Sequence, residues 1–270
     1  MRIYKSDTEA GIGRISGLYL GDTHTAKSYY LSTWPHPLVV AFDPDTLTLR
    51  KMPGVYILEV DSWSEFEQAV LPFVQKRALG RLVQDRLSLD TEPLIETLGI
   101  DTISIASERL AQHLQGSKDR LTQADFGTFL NKLMQVTLSC VELTRETVPG
   151  EPTYHCIFTS HMGIYGDEGE PQVVRPAIKG QFRELLPRLF GFSFLCEHGQ
   201  RPGPPPRPGA PPSVEEFWQV RTSPPDRRFA FGDRIGGGGK YPRLPAVTDG
   251  TYAGLMRAWA IDPEAKGTLQ

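Results

Sequence analysis

Residues 21–28 read Gly-Asp-Thr-His-Thr-Ala-Lys-Ser, and this stretch with its two flanks narrows the fold more than any other. The phosphate-binding pattern G-x-x-x-x-G-K-[ST] is met at every position but one, where Ala26 stands for the second glycine. Such a loop needs backbone N–H groups curled round a phosphate, a lysine that reaches the β- and γ-phosphates, and a hydroxyl on Mg²⁺. Gly21, Lys27 and Ser28 have that spacing, with Asp22, Thr23, His24, Thr25 and Ala26 forming the cradle. The run Gly-Leu-Tyr-Leu before the loop reads as a strand, and Ser-Tyr-Tyr-Leu after it can open a helix whose N-terminus faces the anion. One mismatch in eight residues also arises by chance, so a Gly/Thr-rich turn is the plain alternative. Ala26 puts a methyl where glycine lets the backbone approach phosphate closely.

The rest of the first 200 residues fits a strand–loop–helix unit repeated. Strand-like runs fall at 17–20, 38–42, 55–60, 102–106, 154–159 and 190–196. Helical stretches fall at 64–79, 107–115 and 122–146; in the last, Phe126, Phe129, Leu130, Leu133 and Val141 recur at helical spacing and Thr122 is an N-cap. Alternation of this kind predicts an α/β layer on a mostly parallel sheet, with ligands at the carboxyl ends of strands. Gly21, Asp43 and Ser160 all follow expected strands and so share one edge.

After Cys196 the composition changes. Residues 201–225 hold nine prolines, which read as a stiff linker or extended loop. Residues 200–243 carry eight Lys/Arg against four Asp/Glu in a chain of net charge −3. The expected division is a nucleotide-binding core at 1–197, a Pro-rich linker at 198–226 and a basic, Gly-rich segment at 227–270. In that segment Arg227, Arg228, Arg234, Lys240 and Arg243 interleave with Phe229, Phe231 and Tyr241, which suits tracking of phosphates and stacking of bases. A solvated tail is the alternative. Three widely spaced cysteines fit buried thiols in a reducing cytoplasm better than a disulfide frame or zinc site. No apolar run reaches membrane-span length, and the first residues lack a signal peptide's apolar core.

Four further segments bear on the loop. Ala-Phe-Asp-Pro-Asp-Thr at 41–46 offers carboxylates at a strand end, though Asp-Pro-Asp is also good turn chemistry. Ile-Asp-Thr-Ile-Ser-Ile-Ala-Ser at 100–107 reads as a buried strand that ends at Ala106, where an Mg²⁺-linked aspartate is expected. On that reading Asp101 sits at the far end of the strand. A third strand ends in Thr-Ser-His at 159–161, and basic residues flank a glycine at 175–183.

In this order the segments resemble the phage RecA-like P-loop ATPases of the Sak recombinase type, often labelled phage nucleotide-binding proteins. The likeness covers about residues 16–196, through GDTHTAKSYYLSTWP, VVAFDPDT, VYILEVDSWSEFEQ, IDTISIAS, QADFGTFLNKLM, CIFTSH and RPAIKGQFRELLPRLFGF. It implies a RecA-like core that binds ATP and Mg²⁺, with Lys27 on phosphate and Ser28 on the metal. It puts Asp45 at the family's catalytic glutamate, one methylene short, and His161 at its polar sensor. Lys179 or Arg183 would reach a neighbouring subunit's nucleotide in a homo-oligomeric ring or filament. It further implies single-stranded DNA as partner in recombination or replication, a single-strand-binding protein as a further partner, and the host cell's cytoplasm. With Ala106 in the Walker B place, nucleotide binding is expected and hydrolysis is expected to be weak. The alternative is a degenerate scaffold without productive ATP turnover. A small-molecule kinase would want an arginine-rich lid, which the proline-broken 201–225 does not resemble.

Overall fold

A computed structural model describes residues 14–166, 173–204, 213–223, 232–233 and 244–259. The first half runs β1 (Ser16–Gly21), α1 (Lys27–Ser32), β2 (Pro37–Ala41), α2 (Leu47–Arg50), β3 (Tyr56–Glu59), α3 (Trp63–Ala69), α4 (Leu71–Gln75), α5 (Leu79–Leu87), β4 (Thr97–Asp101), α6 (Ile103–Gln115) and α7 (Gln123–Glu142). The second half runs β5 (His155–Tyr165), β6 (Val173–Pro176), α8 (Phe182–Leu185), a 3₁₀ turn (Leu186–Arg188), β7 (Phe192–Pro202), β8 (Val214–Arg221), β9 (Gly232–Asp233), β10 (Val247–Thr248) and α9 (Tyr252–Ala258).

The protein is mixed α/β, with a mostly parallel central sheet. Strands β7, β1, β5, β4, β2 and β3 lie side by side in that order and in parallel, and β8 and β10 add antiparallel strands beyond β7. Side chains alternate across a strand, and here they feed two cores. Leu18, Leu20, Val40, Ile100 and Phe158 point into a core shared with α3, α4, α6 and α7. Tyr19, Val39, Ile157 and Phe194 point into a second one, shared with α1 and α9. Helices on both faces explain why the inner strands are apolar throughout rather than alternating. The C-terminal helix is bound into this layer: Tyr19 Oη donates to Gly250 O at 2.7 Å and Tyr252 N to Thr33 Oγ1 at 2.9 Å.

Two sequence expectations are corrected. The run 102–106 is not a strand. Strand β4 ends at Asp101, and Thr102 caps the next helix by accepting from Ile105 N at 3.3 Å. Ile103, Ala106, Leu110 and Ala111 then fall on one buried helical face. The β-branched residues that suggest a strand are instead the first turn of α6. The second correction concerns the proline-rich stretch. Strand β7 continues past residue 197 to Pro202 and pairs with β8 over eight residues, so the described parts of the expected linker, 198–202 and 214–221, belong to the central sheet. Thr122 does cap its helix, in a box closed by Asp125.

Candidate nucleotide site

Parallel register brings four loop starts to one edge of the sheet. Gly21 lies opposite His161 across β1 and β5, and Ala41 opposite Asp101 across β2 and β4. Asp43 follows at once, its N–H directed at Asp101 O at 3.3 Å. The loop 21–28 therefore opens between the carboxyl ends of β4 and β5 on one side and β7 on the other.

Gly21 is required by close approach, since a Cβ there would meet Thr25 Oγ1 at 2.3 Å and Cys196 O at 3.0 Å. Thr25 folds back to donate to Asp22 O at 2.7 Å. Lys27 is 5% exposed, and its Nζ donates to Asp22 O at 2.5 Å and toward Thr25 Oγ1 at 3.4 Å. Burial lowers the Lys27 pKa, and the carboxylates of Asp101, Asp22 and Asp43 act against that. Ala26, where the pattern asks for glycine, is left-handed at φ 63°, ψ 19°. His24 is left-handed too, at φ 60°. The loop thus takes the glycine conformation without the glycine, at a steric cost of about 1 kcal/mol.

The carboxylate beside Ser28 is Asp101, whereas the sequence pattern expects one at position 106, where Ala106 stands. Asp101 is 3% exposed; Ser28 Oγ donates to its Oδ2 at 2.8 Å and Thr159 Oγ1 donates to its Oδ1. Burial raises its pKa, and the two hydroxyls and Lys27 oppose the rise. Ala106 lies one turn into α6, buried in the core. The helical period that starts at Thr102 is the signal that would have ended the strand at Asp101.

Asp43, rather than Asp45, is the carboxylate that faces His161. Its Oδ2 lies 4.0 Å from His161 Nε2, and its charge acts on both Lys27 and His161. Asp45 turns the other way, giving its N–H to Asp43 Oδ1 at 2.9 Å and accepting from Leu47 N at 3.4 Å at the start of α2. The Asp-Pro-Asp stretch is both things the sequence offered: a carboxylate at the site, then a turn. His161 is held by its backbone N–H on Ser104 Oγ at 3.0 Å, and Ser104 Oγ also meets Ser160 Oγ at 2.9 Å. Burial, with Lys27 nearby, lowers the His161 pKa.

Lys179 is exposed in the turn after β6. Arg183 stacks its guanidinium over the Tyr165 ring at 4.1 Å and lies 3.8 Å from Glu184. Arg227, Arg228, Phe229, Arg234, Lys240, Tyr241 and Arg243 fall outside the described residues.

The donor set fits Mg²⁺. Ser28 spends its proton on Asp101, which leaves hydroxyl lone pairs for a hard cation, and Mg²⁺ characteristically takes one or two protein oxygens besides phosphate and water. Among the described residues no cluster of three or more His, Cys, Asp or Glu forms a closed metal cage. The three cysteines are buried and unpaired. Among the described residues no helix is long and apolar enough to cross a membrane.

No protein-family model matches the chain. No curated protein matches it either. Among solved structures the fold is similar to the flagellar accessory protein FlaH from Methanocaldococcus jannaschii, at 10% identity over 78% of this chain and 79% of that one, with a TM-score of 0.36. A likeness of that size carries no weight for function, which has to be argued from the loop and its neighbours.

Proposed function

We propose that this chain is a RecA-like P-loop ATPase that binds and hydrolyses ATP with Mg²⁺ at residues 21–28. The observation that carries the reading is the 2.8 Å contact between Ser28 and Asp101, which places a buried carboxylate behind the metal-binding hydroxyl beside a buried lysine. Catalysis of phosphoryl transfer is mostly positioning and charge stabilisation. Lys27 is positioned to neutralise phosphate charge, Ser28 and Asp101 would hold the metal, and Asp43 with His161 forms the polar pair able to orient a water. Bound Mg²⁺ would supply charge neutralisation on the phosphates. With Asp101 in this role the expected weakness of hydrolysis loses its basis.

Lys27→Ala tests the reading. It should weaken Mg²⁺-dependent ATP binding at least tenfold by calorimetry and abolish phosphate release, with circular dichroism unchanged. Unaltered ATP affinity in the folded variant, or no Mg²⁺-dependent affinity in the wild type, would leave the scaffold reading standing.

The proposal extends to single-stranded DNA as the partner, to a ring or filament of copies that exchanges Lys179 or Arg183 between subunits, to a single-strand-binding protein as a second partner, and to a reducing cytoplasm. The support is the basic, aromatic composition of 227–243 and the family resemblance. Replacing Arg227, Arg228 and Lys240 by alanine should weaken binding to an oligothymidylate and flatten the fall of log affinity with log salt, with ATP affinity kept. An unchanged salt slope would remove DNA from the reading.

A further inference from the structure

The four tryptophans divide sharply. Trp34, Trp63 and Trp259 are at most 2% exposed inside the two cores, whereas Trp218 is 48% exposed on β8. Large aromatics left on a surface strand normally lie free, and this one is tied down twice. Its indole Nε1 donates to the backbone carbonyl of His24 at 3.1 Å, in the middle of the phosphate loop. Its ring stacks on His198, its register partner on β7, at 4.9 Å and 17°. His198 is in turn 3.7 Å from Glu216. The hairpin that extends the sheet thus presents a flat, oriented and half-open aromatic surface beside the turn that would hold the phosphates.

We propose that Trp218, backed by His198, is the platform on which the base of the loop-bound nucleotide stacks. The inference rests on the nucleotide reading above and names its base subsite. A nucleotide held by its phosphates at 21–28 must direct its base away from the loop, and Trp218 is an exposed aromatic hydrogen-bonded to that loop. The bond to His24 fixes the indole edge, so a base meets a ring that needs no ordering on arrival. Stacking on a π-face is tolerant of base identity, so the site should favour purines only modestly and should not demand adenine.

The experiment compares Mg²⁺-ATP with Mg²⁺-tripolyphosphate, which carries the phosphates without a base. In wild type, ATP should quench Trp218 fluorescence and tripolyphosphate should not, with Trp218→Phe removing the quenched signal. Trp218→Ala should weaken ATP about ten- to a hundredfold and leave tripolyphosphate affinity within twofold, whereas Trp218→Phe, which keeps a ring but loses the bond to His24, should fall between wild type and Trp218→Ala. Equal loss for both ligands would make Trp218 a prop for the loop and overturn the platform. Quenching by an oligothymidylate with tripolyphosphate already on the loop, and none by ATP, would assign the surface to strand bases and overturn it too. Failure of tripolyphosphate to bind wild type at all would instead fell the phosphate-loop reading, on which this one depends.

Discussion

Asp101→Asn separates the metal-holding role of this carboxylate from any structural one, because the two predict opposite signs. The side chain is 3% exposed and takes hydrogen bonds from Ser28 and Thr159. Asparagine has the same shape, and both hydroxyls can rotate to donate to its oxygen or accept from its nitrogen, so the packing survives. The charge does not, and the charge is what burial penalises: the Asp101 pKa is raised in the fold. A carboxyl with a raised folded pKa gives stability that is complete below its unfolded value near 4 and is lost as pH rises through the folded value. The loss is about 1.4 kcal/mol for every tenfold difference in acidity between the folded and unfolded states. Asparagine removes that loss. The nucleotide-free variant should therefore be as stable as wild type at pH 7, or more so, with a flatter pH dependence above pH 4 in urea titrations. Metal binding should move the other way. Loss of an outer carboxylate that orients a ligand typically lowers metal affinity ten- to a hundredfold, or about 1.4–2.7 kcal/mol. Calorimetry should show this as a drop in ATP affinity with Mg²⁺ and no drop without it, because the lost charge also repels a metal-free triphosphate. Wild-type Mg²⁺-ATP affinity in the variant, or a clear destabilisation at neutral pH, would refute the reasoning.

Ala26→Gly should leave thermal stability within about 0.5 kcal/mol, because relief of a left-handed alanine offsets the greater freedom of glycine in the unfolded chain. It should hold or improve ATP affinity; a loss of 1 kcal/mol or more would show that the methyl packing dominates. His155 predicts acid sensitivity away from the site. Burial, with Arg14 beside it, lowers its pKa to about 3. A histidine with a depressed folded pKa gives stability present above its unfolded value near 6.5 and lost as pH falls toward the folded one, here on the order of 5 kcal/mol by pH 3. Denaturant titrations from pH 7 to 4 should show this slope in wild type and a smaller one in His155→Gln, and parallel slopes would contradict it.

How far the sequence could be read depended on which period a stretch obeyed. Strands β1, β2, β3 and β5 were legible because short apolar runs stand between turn residues, and the phosphate loop because its spacing is rigid. Strand β4 was not. Thr-Leu-Gly-Ile-Asp looks weak beside the Ile- and Thr-rich run that follows, yet Gly99 is where α1 approaches, with Leu31 Cδ1 2.8 Å from where its Cβ would be. A strand under a tightly packed helix reads as poor strand sequence for that reason. The misplaced strand end then hid Asp101 and made Ala106, buried in the core, look like a vacant site. β8 was hidden by neighbouring prolines: its own Val-Glu-Glu-Phe-Trp-Gln-Val-Arg alternates weakly, and of its partner β7 only the first half, within the expected strand 190–196, was legible. Trp218 could not be placed from sequence at all, because its contact with His24 joins residues 194 positions apart.

The electrostatics of the site argue that it is built ahead of its ligand. Lys27 is buried, so most of the cost of stripping water from an ammonium is met in folding and is not charged again when phosphate arrives. Its present partners are a loop carbonyl and a threonine hydroxyl, neutral groups that a charged phosphate oxygen outcompetes. Three carboxylates, Asp101, Asp22 and Asp43, oppose the lowering of the lysine's pKa by burial. The same three would repel a bare triphosphate. One lysine cannot offset both them and the ligand, so on the proposed reading the nucleotide would be taken with its divalent cation, which Ser28 and Asp101 would hold.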